Sequence, residues 1–413
     1  MSKTTYTQSV FDKRLYELSH EAGLVYSKVL RLHNRIWRKK KIWLKERDME
    51  QLAQYYVPRT LLHSQSYQGA YQKLKDNHKA WREAKKAYAK SPIGFSGVPK
   101  MPNKTKWLQP IQFKSSAIKI KNGYLELSLA QGNAPIKIKW SIQVPKFVTI
   151  NWSRNEGWKL NCVLEKEVKK EVLDIKKSLG IDLGIKRIAV TFDGLNTTTY
   201  NGKVIKSLVV LRNKVQSKFQ IKVATMIKNS KNCKKIKKAH RKVKTRIANK
   251  IKDVLHKTSR AIVNQAIEKQ ISKINIGDCS AIHTNTSCGK RNNQAIQQSP
   301  EQKLKQYISY KFQAIGGTVA IVSERYSTQE CPCCKTRYKP SSRYYSCRNS
   351  QCKFKWDRDG IGASNIWLWN QSIVSNFRDL VGGLTPPRGY KYNSRLPSNL
   401  RNKLVKRTLK ALA

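Results

Sequence analysis

Apolar residues recur at helical spacing through the first part of the chain. Leu15, Leu18, Ala22, Val25, Val29 and Leu32 fall three, four and seven residues apart, the stripe of an amphipathic helix. Gly and Pro are almost absent from residues 11–88, so helix is expected across that stretch. Residues 91–99, rich in Pro and Gly, read as a loop. Beyond it the pattern changes to alternation. Residues 117–121 and 124–129 alternate on either side of Asn122-Gly123, which predicts a hairpin. Residues 136–140 and 158–164 alternate as well, so a small antiparallel sheet or barrel with basic outer positions is expected over residues 100–168.

A mixed pattern follows. Residues 178–194 read as strand, tight turn and strand. Ile251, Leu255, Thr258, Ile262 and Ala266 carry a helical stripe. Residues 271–278 form a short apolar run expected to be a buried strand, and 283–300 are polar and loop-like. Residues 301–315 predict a helix stopped by Gly316-Gly317. A second buried strand is expected at 318–324, and a helix at 358–369. Strands alternating with helices predict an α/β domain in the second half of the chain.

Charge changes the picture more than length does. The 413 residues carry 83 Lys+Arg against 25 Asp+Glu, a formal net charge of +58. An excess of this size concerns partners, not fold, and suits a chain that neutralises many phosphates. It argues against an uncharged metabolite as the main ligand. The hydrophobic share of 39% and ten Trp are enough for a core, which argues against wholesale disorder. The excess is concentrated in three places. One is the stretch holding Arg35, Arg38, Lys39 and Lys40, interleaved with Trp37 and Trp43. It reads either as a solvated helix face with its Trp in the core, or as a helix facing nucleic acid. The second runs from 194 to 252, with eighteen Lys/Arg and no acid, and includes Lys234, Lys235, Lys237, Lys238, Arg241 and Lys242. Its apolar stripe favours a long basic helix or helical hairpin. The third follows Asp379, with eight Lys/Arg and no acid, and is expected to be disordered unless nucleic acid orders it. No stretch has the length of apolar residues a membrane span needs, and the first residues lack the apolar run of a signal peptide.

Five of the nine cysteines fall between Cys331 and Cys352, which points to a metal site in a reducing compartment. Cys331, Cys334, Cys347 and Cys352 make two pairs joined by a short loop, the pattern of a Zn(Cys)4 ribbon. Cys333 is then a spare thiol or an alternative to Cys334. A closed four-sulfur site is structural, because catalytic zinc keeps an open position.

Acids are few, so their placement matters. Asp182 lies in the first apolar strand of the α/β domain between Gly180 and Gly184. Glu324 ends a later strand, and Asp357 and Asp359 open the helix after the cysteine cluster. Carboxylates at strand ends near a phosphate-binding surface suit Mg2+, which takes oxygen ligands. Two such ions can clamp the attacking and leaving oxygens of a phosphodiester. A plainer role for Asp357 is a helix N-cap, and for Glu324 a surface acid paired with Arg325.

These motifs resemble those of the TnpB proteins, RNA-guided endonucleases of insertion sequences and relatives of type V CRISPR effectors. Gly180-Ile181-Asp182-Leu183-Gly184-Ile185-Lys186 resembles their first RuvC motif. His256-Lys257-Thr258-Ser259-Arg260 is similar to the helix before their second motif. Ser327-Thr328-Gln329-Glu330-Cys331, both cysteine pairs, and the run from Asp357-Arg358-Asp359-Gly360 to Asn365-Ile366 resemble their zinc ribbon and third motif. The resemblance covers residues 175–370 closely and the first part more loosely. It implies an RNase H-like (RuvC) α/β nuclease domain with an inserted zinc ribbon, preceded by a helical recognition lobe and a small β-barrel wedge domain. The implied boundaries are 1–98 for the recognition region with the first wedge strand, 99–172 for the wedge, and 173–326 for the nuclease domain with a basic helical insertion at about 205–265. The zinc ribbon is expected at 327–356, the last nuclease helix at 357–372, and a basic tail at 373–413. The resemblance also implies structural Zn2+, catalytic Mg2+ (two ions), a guide RNA, double-stranded target DNA, and transposition as the biological setting. A homodimer is compatible with it. In a prokaryote the expected location is the cytoplasm, at the nucleoid.

The chain departs from the family at one important position. The second motif usually has Glu where Gly277 stands. In eukaryotic Fanzor nucleases and a related TnpB group, a substitute Glu lies further on, just ahead of the zinc ribbon. Glu324, 47 residues beyond Gly277, matches that arrangement. Asp182, Glu324 and Asp359 are therefore the expected catalytic acids. The rival expectations are a nuclease-dead RNA-guided binder, such as a repressor, and an accessory transposase that uses no guide RNA. Ile361, where the third motif often has Asn, and the wider gap between Cys347 and Cys352 are smaller departures.

Overall fold

The computed structural model describes residues 2–92, 95–166, 171–279, 289–369 and 388–390. The chain divides into two units, Met1–Glu167 and Val168–Ala413.

In the first unit, β1 (Ser2–Ser9) leads into α1 (Leu15–Lys40), α2 (Glu46–Tyr56) and α3 (Ser64–Lys90). Six strands follow: β2 (Ile111–Lys114), β3 (Ile118–Lys121), β4 (Tyr124–Leu127), β5 (Ile136–Lys139), β6 (Phe147–Ser153) and β7 (Gly157–Lys166). They make a four-stranded antiparallel sheet, β1-β7-β6-β2, and a three-stranded one, β3-β4-β5. Among the described residues no ladder joins these two sheets into one barrel. Asn122 and Gly123 both take positive φ at the β3–β4 turn, as a tight hairpin requires. The α1 stripe is buried at Leu15, Leu18, Ala22, Val25 and Val29. It shares one core with Ile111, Phe113, Val148 and Leu160 of the sheet.

Trp37 and Trp43 pack on each other at 5.3 Å, and Trp43 lies against His33 and His78 at 4.5 and 5.0 Å. The tryptophans of the basic stretch are therefore structural, while Arg35, Lys39 and Lys40 remain exposed and Arg38 is half-buried, its Nε donating to the Asn34 carbonyl at 3.1 Å. His33 and His78 are buried with ring centroids 4.4 Å apart, and their ring nitrogens have no hydrogen-bond partner among the described residues. Burial, reinforced by Arg82, pulls both down to about 4. The rings are neutral when folded but protonate near pH 6.5 when unfolded. Their contribution is thus complete above about pH 6.5 and is lost as pH falls towards 4. The expected result is a drop in thermal midpoint between pH 7 and pH 4.5 that shrinks in His78→Phe; an identical drop in both proteins would contradict it.

In the second unit, β8 (Asp174–Leu183), β9 (Arg187–Phe192) and β10 (Thr197–Asn201) form an antiparallel meander. The helices α4 (Lys203–Ala224) and α5 (Lys231–Glu268) follow. Next come β11 (Ile271–Asp278), α6 (Lys290–Gln297), α7 (Glu301–Gln313) and β12 (Thr318–Ser323). A short pair, β13 (Tyr344–Ser346) and β14 (Lys355–Asp357), precedes α8 (Arg358–Leu368), and β15 (Arg388–Tyr390) comes last. The main sheet has the order β12-β11-β8-β9-β10-β15, with β11 parallel to β8 and β12 parallel to β11. Leu179, Ile181, Ile274 and Ile276 of the sheet pack with Ile251, Leu255 and Ile262 of α5 and with Leu304, Ile308 and Phe312 of α7.

The acid-free stretch is a helical pair. In the first half of α5, Cys233, His240 and Ile247 are the buried positions, spaced by seven residues, and His240 stacks on Phe219 of α4 at 3.8 Å. Lys234, Lys235, Lys238 and Lys242 are exposed, and Lys237 and Arg241 half-buried.

Three expectations need correction. β12 is an edge strand and is half exposed rather than buried, with Ile321 49% exposed. Residues 290–297 form a helix, not a loop; its polar sequence hides it from a search for apolar periodicity. Within the basic tail, Arg388–Tyr390 form a strand paired with β10, and the rest of residues 370–413 lies outside the described residues.

Candidate active site

Two close approaches build the acidic cleft. α8 crosses β8 so tightly that a Cβ on Gly180 would stand 2.3 Å from the Ala363 carbonyl oxygen. A Cβ on Gly362 would stand 2.7 Å from Asp182 Oδ2. These glycines let the first turn of α8, with Asp359, lie over the strand that carries Asp182. Asp357 is the helix N-cap: its Oδ1 accepts from the amides of Asp359 and Gly360, both at 3.1 Å. Arg187 at the start of β9 ties both acids together, with Nη1 2.5 Å from Asp357 Oδ1 and 3.3 Å from Asp359 Oδ2.

Glu324 fills the space left by Gly277. Gly277 pairs with Val322 across β11 and β12, and Glu324 lies just past the end of β12. A Cβ on Gly277 would meet Glu324 Oε2 at 3.0 Å, Glu324 Cβ at 3.2 Å and Ile366 Cδ1 at 2.9 Å. The Cys279 thiol donates to Glu324 Oε2 at 3.4 Å. Among the described residues Glu324 makes no ion pair with Arg325, whose guanidinium lies 4.9 Å from the Tyr326 ring centre. Asp278 instead accepts from Lys305 Nζ at 2.7 Å.

Asp182, Glu324 and Asp359 line one cleft of about 950 Å³ together with Glu301 and Asp278. Burial pushes Asp182 well above the usual carboxylate range, and the neighbouring charges of Glu324, Asp359 and Glu301 push it further. Burial also raises Glu324, partly opposed by the hydrogen bond from Cys279. Acids that raise one another in a shared cleft repel, and a hard cation with oxygen ligands relieves that repulsion. The donor chemistry suits Mg2+, while among the described residues only the four cysteines bring their ligand atoms within 4.8 Å of one another. The sequence reading missed Glu301, buried at the start of α7, and Arg187 and Cys279 as neighbours. No motif marks them; the crossing of α7 and the turn after β8 bring them in.

The four cysteines form a second centre. The Sγ atoms of Cys331, Cys334, Cys347 and Cys352 all lie within 4.8 Å of one another, with Cys331–Cys352 at 3.7 Å and Cys334–Cys347 at 3.4 Å. Tetrahedral sulfurs about 2.3 Å from zinc stand about 3.8 Å apart, which matches this spacing. Cys333 is outside the group, half-buried. The site's packing joins it to the cleft: Cys331, Tyr345 and Trp356 share a cluster with Ile361 and Ala363 of α8 and with Val190 and Phe192 of β9.

Two family models match parts of the chain. Residues 161–283 match the OrfB_IS605 family, described as "Probable transposase", and residues 302–366 match the Cas12f1-like TNB domain. TnpB-like protein L770 of Acanthamoeba polyphaga mimivirus is 27% identical over 239 residues, covering 54% of this chain and 43% of the relative. The CRISPR-associated endodeoxyribonuclease Cas12f1 of Sulfoacidibacillus thermotolerans is 27% identical over 236 residues, covering 55% of this chain and 54% of that protein. The matches thus span about half the length of these relatives. The solved structure of a Cas12f1-sgRNA-target DNA complex shares the fold, with a TM-score of 0.56 at 13% identity, covering 86% of this chain and 83% of that one. No helix among the described residues is long and apolar enough to cross a membrane.

Proposed function

On the footing that the chain is a TnpB-type relative of the type V CRISPR effectors, we propose that it is an RNA-guided DNA endonuclease with an RNase H-like nuclease domain. One observation carries the reading: Asp182, Glu324 and Asp359 meet in a single cleft, with Glu324 in the space that Gly277 leaves open. These three carboxylates would hold Mg2+. Bound there, the ion would supply Lewis acidity for phosphodiester hydrolysis. The protein's part is positional. Arg187 fixes the Asp359 carboxylate, and the Asp357 cap fixes the turn that carries it. Cys279 orients Glu324 by its hydrogen bond. Zinc held by the four cysteines is structural in this reading.

The charge of +58 suits a guide RNA and a DNA duplex together. Base pairing with the guide would supply sequence selection, and the protein charge and shape. Gly277 favours a second reading, a nuclease-dead RNA-guided binder, because the usual acid is missing there.

The test is to purify the full chain, identify any RNA bound to it, and supply target duplex in Mg2+ or EDTA. Cleavage that requires both the RNA and Mg2+ is the expected result. RNA-dependent binding without cleavage in Mg2+ or Mn2+ supports the second reading. A protein that carries and uses no RNA contradicts both and leaves the accessory transposase.

A further inference from the structure

Trp107 is 65% exposed and Tyr16 is 51% exposed, yet the two are hydrogen-bonded to each other. The backbone around Trp107 is clamped to α1 on each side. Lys106 N donates to Ser27 Oγ at 2.8 Å, and Ser27 Oγ returns a bond to Lys106 O at 2.8 Å. Gln109 N donates to Ser19 O at 3.0 Å, and Ser19 Oγ donates to Gln109 O at 2.7 Å. Gly23 lets the segment come this close: a Cβ there would be 2.4 Å from the Trp107 carbonyl oxygen. The indole is fixed too, with Nε1 donating to Tyr16 Oη at 2.9 Å. His20 packs on Trp107 with ring centres 4.2 Å apart and planes tilted by 57°, and is parallel to Tyr16 within 1° at 6.3 Å.

A fixed, exposed aromatic face is pre-organised for a flat ligand, since little side-chain freedom remains to be lost. The surroundings suit an anionic one. Lys13, Lys104 and Lys106 are exposed nearby. Of the local acids, Asp12 is paired with Arg14 at 2.8 Å and Glu21 accepts bonds from Thr60 and Leu61, which leaves Glu17 on the exposed face. Flatness plus negative charge describes a nucleotide.

We propose that Tyr16, His20 and Trp107 form a stacking platform for an unpaired base of the guide RNA. The assignment rests on the RNA-guided reading above. Target DNA arrives as a duplex with its bases already stacked on one another. A structured RNA presents splayed bases in its loops and ends, and these are what aromatic faces capture.

The test uses the full chain and a short single-stranded RNA carrying 2-aminopurine, whose emission is quenched by stacking. The wild type is expected to quench it. Trp107→Ala and Tyr16→Ala are expected to bind about tenfold more weakly, in line with about 1–3 kcal/mol for each base stacked on an aromatic ring. Trp107→Phe keeps most of the affinity, and binding of the same sequence as a duplex is unchanged in every variant. Thermal melting of each variant separates lost stacking from lost folding, and Trp107→Leu, which keeps apolar bulk without an aromatic face and is expected to bind as weakly as the Ala variants, carries the test if those melt early. RNA binding that is unaffected by the ring substitutions overturns the platform while leaving the RNA-guided reading intact. A wild type that binds no RNA overturns both. Stronger ring-dependent binding to single-stranded DNA than to RNA overturns the choice of RNA.

Discussion

Glu324→Ala is expected to reduce Mg2+-dependent cleavage by about a thousandfold or more, with RNA and target binding unchanged. The size follows from losing one of three anionic ligands to a metal worth several kcal/mol of transition-state stabilisation. Binding is expected to survive because the exposed cations of α5 belong to a different element from the carboxylate. The structure extends the test to Gly277. Any side chain there meets Glu324 and Ile366, so Gly277→Glu alone should also lose cleavage, by displacing the acid already in place. In a Glu324→Ala background, the contact with the carboxylate is removed. What remains is the end of a flexible Ile366 side chain at 2.9 Å and the Cβ of residue 324 at 3.2 Å, which must give by a few tenths of an ångström. The double variant Gly277→Glu, Glu324→Ala should therefore recover part of the activity that each single variant loses. Steady-state cleavage rates of the four proteins decide it. Full cutting by Glu324→Ala means that the third acid lies elsewhere, with Glu301 and Asp278 the other carboxylates in the cleft.

This coupling also shows how far the sequence could be read. The four cysteines were visible from their spacing, and Asp182, Glu324 and Asp359 were proposed through the resemblance of the motifs around them. That Glu324 would occupy the volume at Gly277 depends on parallel pairing of β11 with β12, where Gly277 stands beside Val322. Spacing along the chain carries no such register. The same limit explains the other misses. Val319, Ala320, Ile321 and Val322 make an apolar run that implies a central strand, but β12 is the sheet's edge. Residues 290–297 have no apolar stripe, so nothing marked them as a helix. Arg187 was hidden among many cations, and only the crossing of α8 over the sheet brings Asp357 and Asp359 to it. The interleaved Trp37 and Trp43 could serve either a core or a ligand. Two buried histidines from separate parts of the sequence decide for the core.

Cys347→Ser is expected to abolish zinc binding, lower the thermal midpoint by on the order of 10 °C, and stop cleavage even though none of the four clustered cysteines lines the acidic cleft. The route is mechanical and passes through named contacts. Cys331 and Cys347 sit at the centre of a cluster with Tyr345, Phe354 and Trp356, which packs on Ile361 and Ala363 of α8. Asn365 of α8 donates to the carbonyls of Ser327 and Glu330 in the knuckle, both at 2.7 Å. Trp369 Nε1 donates to Glu330 Oε1 at 3.2 Å, and β14 runs directly into the Asp357 cap. Without metal, four thiols this close have nothing to hold the two knuckles together, and the helix that positions Asp359 loses its support. The control is Cys333→Ser, which should keep zinc, stability and cleavage, because that thiol is outside the tetrahedral group. Metal analysis, melting and cleavage measured on both variants give the answer. Loss of zinc from Cys333→Ser would reassign the fourth ligand. A zinc-free Cys347→Ser protein that still cuts would show that the ribbon and the acidic site are energetically independent.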